Sequence, residues 1–252
     1  MVVVPRKRID SLLVARGLVD SRERARVMVM SGAVSADGRT VIKPSTLVKD
    51  DAQVCLSEGP KFVGRGGLKL EGALDEFQVD VTSLVALDAG ASTGGFTDCL
   101  LKRGAGKVYA VDVGYGQLDY GLRQDPRVVV MERVNARYPL DLPEVVDLAT
   151  LDLSFISLEK VVPSAADAVK DGGQLIALVK PQFEAVRRQV SKGGLVKDPQ
   201  VHAGVLGRFV CWAVDRSFRI EGIMPSPILG AEGNKEFFVL LRKPAHITWT
   251  GC

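Results

Sequence analysis

The chain has 252 residues, 46% hydrophobic and 25% charged, which suits one large α/β domain with a smaller companion and excludes a disordered polyelectrolyte. The formal net charge of +3 sits wholly in residues 1–60, where 10 Lys/Arg face 7 Asp/Glu, while residues 61–252 are neutral. No apolar run nears the ~20 residues of a bilayer span, and Met1–Val4 is too short for a secretory leader, so a cytoplasmic protein is expected. Cys55, Cys99, Cys211 and Cys252 form no CxxC pair, and His202 and His246 are the only histidines, so no metal site is expected.

In chain order, Ile9, Leu12 and Leu13 fall at helical spacing between Arg8 and the stop at Gly17. A second helix is predicted to open with a capping box of Asp20 and Glu23, to carry Arg22, Arg24 and Arg26, and to stop at Gly32. Short strands follow at Ala33–Ser35 and Thr40–Ile42, joined by the hairpin signal Asp37-Gly38. Thr46–Leu56 reads as one further strand. The pattern breaks at 58–60. A small α+β domain is therefore predicted over 1–59, a linker over 60–64 and a second domain over 65–252.

The second domain alternates apolar strands with helices. The strands are predicted at Leu84–Ala89, Lys107–Asp112, Arg127–Met131, Val146–Asp152, Gln174–Lys180, Phe218–Ile223 and Glu236–Leu241. Helices are predicted at Thr97–Arg103, Ser157–Val169 and Val201–Val214. This predicts a doubly wound, mainly parallel sheet of seven strands. The last two strands, with no helix between them, predict a hairpin and one antiparallel strand.

The first of these strands runs through Asp88 into Gly90-Ala-Ser92-Thr93-Gly94-Gly95. This spacing is neither the G-x-G-x-x-G pyrophosphate fingerprint nor a P-loop. A nucleoside ligand without phosphates fits better. Asp112, at the next strand end, stands where an acid accepts hydrogen bonds from ribose hydroxyls, and Asn135 could bond an adenine edge.

Four charged residues sit at element ends: Lys69 entering the first helix, Asp152, Lys180 and Glu236. An antiparallel last strand would bring Glu236 to the rim where the parallel strands end. A lysine closing a buried strand is costly unless paired or poised for chemistry. Burial is one route to a lysine that acts as a base, and a ribose hydroxyl needs a base to become a nucleophile. Structural ion pairs would leave the same spacing.

These residues resemble the TlyA family of rRNA 2′-O-methyltransferases, historically labelled haemolysins. The resemblance rests on Arg8-Ile-Asp10, Ser21-Arg22, Arg65-Gly-Gly-Leu-Lys69, Asp88 to Thr97, Asp152-Leu-Ser-Phe-Ile156, Val179-Lys-Pro-Gln-Phe-Glu184 and Gly233-Asn-Lys-Glu236. It implies an S4-like RNA-binding domain followed by an FtsJ-like, Rossmann-like methyltransferase domain. It implies a K-D-K-E tetrad at Lys69, Asp152, Lys180 and Glu236. It further implies S-adenosyl-L-methionine held by Asp88, Gly90, Ser92, Thr93, Gly94, Asp112, Val113 and Asn135. The expected activity is 2′-O-methylation of cytidine ribose in ribosomal RNA, by a monomer acting on the RNA or on ribosomal subunits and not on membranes. Arg6, Arg8, Arg22, Lys43 and Arg65 are the expected RNA contacts, and Arg187 to Gly194 is expected as a mobile basic loop over the substrate. A non-catalytic RNA-binding protein, a membrane-active haemolysin and a base or small-molecule methyltransferase are the alternatives.

Overall fold

The computed structural model describes residues 5–30, 33–57, 61–230 and 233–245. The helix stop expected at Gly32, the break expected at 58–60, and His246 and Cys252 lie outside them. The chain divides into two compact units, 1–63 and 64–252.

The small unit contains β1 (Arg6–Arg8), α1 (Ile9–Ala15), α2 (Arg22–Met30), β2 (Val34–Ala36), β3 (Arg39–Thr40), β4 (Leu47–Lys49) and β5 (Val54–Leu56). Ile9 and Leu13 of α1 and Ala25 and Val29 of α2 close one core with Val34, Ala36 and Val41. Asp37 and Gly38 turn β2 into β3 with φ of 49° and 75°, the left-handed pair that a two-residue hairpin needs.

Two expectations fail here. Thr46–Leu56 is not one strand but two with different partners, β4 lying antiparallel to β1 and β5 antiparallel to β2. The chain breaks at Asp50-Asp51, turn-forming residues, where the Ala52 N–H returns to the Lys49 carbonyl at 3.0 Å. The cap of α2 is Ser21, whose Oγ accepts from the Arg24 N–H at 3.1 Å, so the box assigned to Asp20 is one residue early.

The large unit contains α3 (Arg65–Glu76), β6 (Val85–Ala89), α4 (Gly95–Lys102), β7 (Lys107–Asp112), α5 (Tyr120–Gln124), β8 (Val128–Glu132), β9 (Val146–Leu151), α6 (Val162–Ala168), β10 (Val169–Val179), α7 (Pro181–Glu184), α8 (Pro199–Asp215), β11 (Arg219–Pro225) and β12 (Phe237–Arg242). The seven strands form one sheet in the order β11-β12-β10-β9-β6-β7-β8. β10, β9, β6, β7 and β8 run parallel, and β12 is antiparallel to both neighbours, as the hairpin pattern predicts. Strand interiors such as Leu87, Val111, Leu148 and Ile176 are fully buried, which explains why these strands read as continuous apolar runs. The helix expected over Ser157–Val169 is instead a 3-10 turn at Leu158–Lys160 followed by α6. Pro163 lacks an N–H and is tolerated only in a first turn, so α6 starts afresh at Val162.

The strand order reverses between β6 and β9, the place where sheets of this kind bind ligands at the carboxyl ends of their strands. The registers pair Ala89 with Leu151, Leu151 with Ala177, and Val179 with Phe237. Gly90, Asp152, Lys180 and Glu236 therefore leave the sheet along one edge.

Candidate active site

The loop after β6 begins at Gly90. Its φ is +88°, and a Cβ there would lie 2.5 Å from the Asp152 carbonyl oxygen, so a side chain has no room. The Gly90 and Ala91 N–H groups donate to the Val111 carbonyl at 2.8 and 3.1 Å and hold the loop against β7. Asp112, the last residue of β7, accepts from the Ser92 N–H through Oδ2 at 2.8 Å and from the Gly114 N–H through Oδ1 at 2.7 Å. Its carboxylate is thereby fixed on the wall of a cavity of about 450 Å³, a usual size for a small-molecule site.

Gly90, Ser92, Asp112, Val113 and Asn135 all line this cavity. Asn135 is held by the Arg137 N–H, which donates to its Oδ1 at 3.0 Å. Thr93 lines a second cavity instead, of about 180 Å³. Asp88 and Gly94, also expected to hold cofactor, line neither. Asp88 is fully buried beneath the loop, where its oxygens accept from Thr97 Oγ1 at 2.7 Å and Thr150 Oγ1 at 3.2 Å. Burial pushes this carboxyl up to about 7, against the two threonine hydrogen bonds and with the help of the Asp152 charge. Gly94 has its own space filled by Leu118 and Leu122.

The two cavities share Gly90, Ser92, Asp152 and Ser154, and Lys180 closes the smaller one. Lys180 Nζ lies 2.6 Å from Asp152 Oδ1 and donates to Ser154 Oγ at 3.1 Å. The contact with Asp152 is a charge pair without hydrogen-bond alignment. Lys69 and Glu236 form the second pair: Lys69 Nζ donates to Glu236 Oε2 at 2.6 Å, both side chains being buried. Gln182 Nε2 approaches Glu236 Oε1 at 3.4 Å. Lys69 and Glu236 line neither of these two cavities. The four residues thus form two lysine–carboxylate pairs at one sheet edge, one facing the cavities and one packed in protein.

Residues 62–243 match the model of the FtsJ-like methyltransferase family, and residues 7–54 match that of the S4 domain. Over 241 residues the chain is 45% identical to the 16S/23S rRNA (cytidine-2'-O)-methyltransferase TlyA of Mycobacterium tuberculosis, covering 94% of this chain and 90% of the relative. The chain belongs to the TlyA family of FtsJ-like methyltransferases. A solved structure from Streptococcus thermophilus that carries a hemolysin label is 44% identical, with a TM-score of 0.73 over 96% of this chain and 90% of its own. An S-adenosylmethionine-dependent methyltransferase of Mesorhizobium loti shares the fold alone, at 17% identity and a TM-score of 0.52 over 68% of this chain and 96% of its own.

The small unit of this TlyA-family chain places its predicted RNA contacts unequally. Arg6 and Lys43 are exposed and line one groove of about 650 Å³, together with Arg39 and Lys49, which the sequence reading passed over. Arg8 and Arg22 instead converge on Asp10, at 2.7 and 3.4 Å. The Asp10 carboxylate is completely buried, and the Arg8 guanidinium, more than Arg22, holds it well below the usual carboxylate range. In the large unit Arg65 is exposed and donates to the Leu229 carbonyl at 2.8 Å. At the far end of the basic loop Asn234 Oδ1 accepts from the Val196 N–H, and its Nδ2 donates to the Gly194 carbonyl, both at 2.9 Å.

The sequence reading also passed over Ser154 and Gln182. Each lies two residues beyond a tetrad member in a segment already singled out. Polar character immediately after a strand end was the available signal.

Proposed function

We propose that this chain methylates the 2′-hydroxyl of a cytidine ribose in ribosomal RNA, with S-adenosylmethionine as donor. The observation that carries this reading is the Asp152–Lys180 pair on the wall shared by the two cavities. The larger cavity suits a nucleoside: the anchored Asp112 carboxylate is an acceptor for ribose hydroxyls, and Val113 and Ile156 supply apolar walls. The donor supplies an activated methyl group on sulfur, so the protein has to align the acceptor and take up one proton. Among the described residues no group of His, Cys, Asp and Glu is placed to hold a metal ion, and the reading calls for none.

Lys180 would accept the proton of the ribose hydroxyl, while the donor, where bound, would supply the methyl group from its sulfonium and leave as a neutral thioether. Asp152 then faces the new ammonium at 2.6 Å and stabilises it. Lys69 and Glu236, packed behind, fix the edge from which Lys180 and Asp152 project. Asp88 supports the glycine loop from below and does not touch the donor.

Residues 1–59 serve in this reading as the RNA-binding domain, 60–64 as the linker and 65–252 as the catalytic domain. Arg6 and Lys43 contact phosphates, which position a protein on RNA without reading its sequence. The protein works in this reading as a monomer in the cytoplasm, on ribosomal RNA or its subunits; the rRNA target is the one in the name of the Mycobacterium tuberculosis relative. No helix among the described residues is long and apolar enough to cross a membrane, and no observation favours a lytic activity. The test is transfer of tritium from methyl-labelled donor to purified ribosomal subunits by the full chain. Incorporation into RNA that depends on Lys180 supports the reading, and labelled protein or no label at all contradicts it.

A further inference from the structure

A neutral lysine amine has two N–H bonds and one lone pair in a tetrahedral arrangement, and only the lone pair can take a proton. Its direction depends on where the two N–H bonds are held. Lys180 Nζ has two oxygen neighbours, Asp152 Oδ1 at 2.6 Å and Ser154 Oγ at 3.1 Å. Ser154 and Asp152 line both cavities, so the oxygens stand on the wall between the donor and acceptor spaces. The N–H given to Ser154 Oγ is the one aligned hydrogen bond that Lys180 Nζ makes beside the Asp152 charge, and it restricts the directions left to the lone pair at the edge of the smaller cavity.

The backbone around Ser154 is built for this contact. Phe155 is an aromatic residue with φ +65°, a left-handed conformation that a bulky side chain adopts only when its surroundings impose it. Its ring packs at 4.9 Å on that of Phe183, three residues beyond Lys180, although the side chain is otherwise 90% exposed. That contact ties the turn carrying Ser154 to the segment carrying Lys180. We infer that Ser154 is a positioning residue for the methyl transfer: its hydroxyl accepts one N–H of Lys180 and so aims the base at the acceptor hydroxyl. This rests on the reading of Lys180 as the base.

The test compares Ser154→Ala, Ser154→Thr, Ser154→Cys and Lys180→Met in the full chain, with methyl-labelled donor and ribosomal subunits. A hydrogen bond to a charged group corresponds to about a 10- to 100-fold effect. Ser154→Ala should lower kcat by about that factor, with KM for the RNA and donor affinity unchanged. Ser154→Thr, which keeps the hydroxyl, should recover most of the loss. Ser154→Cys, a weak acceptor of similar size, should behave as Ala and replaces it if Ala melts early. Wild-type kcat in Ser154→Ala and Ser154→Cys beside an inactive Lys180→Met overturns the inference and leaves the function standing. A loss of donor affinity that matches the loss of activity, or a Thr variant as slow as Ala, also overturns it. An active Lys180→Met overturns the reading beneath it.

Discussion

Both units bury a cluster of opposite charges, and the two clusters differ in which partners reach solvent. In the small unit the acid is inside: Asp10 is fully buried while Arg8 and Arg22 keep 43% and 58% of their side chains exposed. In the large unit both partners are inside: the Lys69 and Glu236 side chains are 10% and 3% exposed, those of Lys180 and Asp152 are 10% and 20% exposed, and the Asp152 oxygen beside Lys180 lacks an aligned hydrogen bond. A buried acid held by two solvent-facing guanidiniums is a staple, since its partners need no rearrangement to remain hydrated. A buried ammonium with a loosely aligned acid, at the wall of two cavities, faces space that a ligand can enter. Charge pairing by itself separates neither case; which partner is dry, and what space it faces, does.

The comparison breaks most sharply at Lys180. Lys180→Met should lower methyl transfer by at least about 10³-fold, within the range of a lost general base, with donor binding by calorimetry near wild type. Next comes the dry pair. Replacing Lys69 alone by Met, or Glu236 alone by Leu, strands a buried charge and should cost about 3–5 kcal/mol in denaturant unfolding. The double variant Lys69→Met with Glu236→Leu should recover much of that stability, which separates folding from catalysis when both are assayed.

The staple predicts a smaller effect with its own pH signature. The Asp10 carboxyl is depressed in the fold, so its stabilisation is present above the ordinary carboxylate range and is lost as pH falls below about 4. Asp10→Asn should speed amide exchange in residues 5–57 at pH 7, and the difference from wild type should shrink on acidification. Asp88 has the reverse sign. Its folded carboxyl, raised to about 7, binds a proton that the unfolded chain has already released, so wild-type stability falls as pH rises from about 4 to about 7 and then levels. Asp88→Asn should therefore melt higher relative to wild type at pH 8 than at pH 5. The smallest effect belongs to the free cations: Arg6→Ala or Lys43→Ala should each weaken RNA binding uniformly and reduce its salt slope by about one, with kcat on saturating subunits unchanged.

The contrast between the units also explains what was legible in the sequence. Six of the seven strands of the large sheet fall within two residues of their predicted bounds, and the central parallel strands β6, β7 and β9 were the plainest, because strands buried on both faces read as apolar runs. The antiparallel last strand followed from the missing helix, and it brought Glu236 to the right edge. The short strands of the small unit carry no such constraint. β4 and β5 are three residues each and half exposed, so the turn at Asp50-Asp51 was hidden inside one apparent strand. Within the site, Asp112 was legible because strand ends near a glycine loop attract acids. Position along a strand does not tell which way a side chain faces, so the contacts of Asp88 with Thr97 and Thr150 were not legible. The pairing of Arg8 and Arg22 with Asp10, two and twelve residues away, was not legible because only the fold brings the three together.

The central claim is that Lys180 takes a proton from a ribose hydroxyl, which alkaline hydrolysis of labelled RNA tests most directly. A methylated 2′-oxygen cannot attack the adjacent phosphate, so the label should emerge in alkali-resistant dinucleotides with a methylated cytidine on the 5′ side, and Lys180→Met should yield none. Label recovered in mononucleotides, with the methyl on a base, would contradict the account.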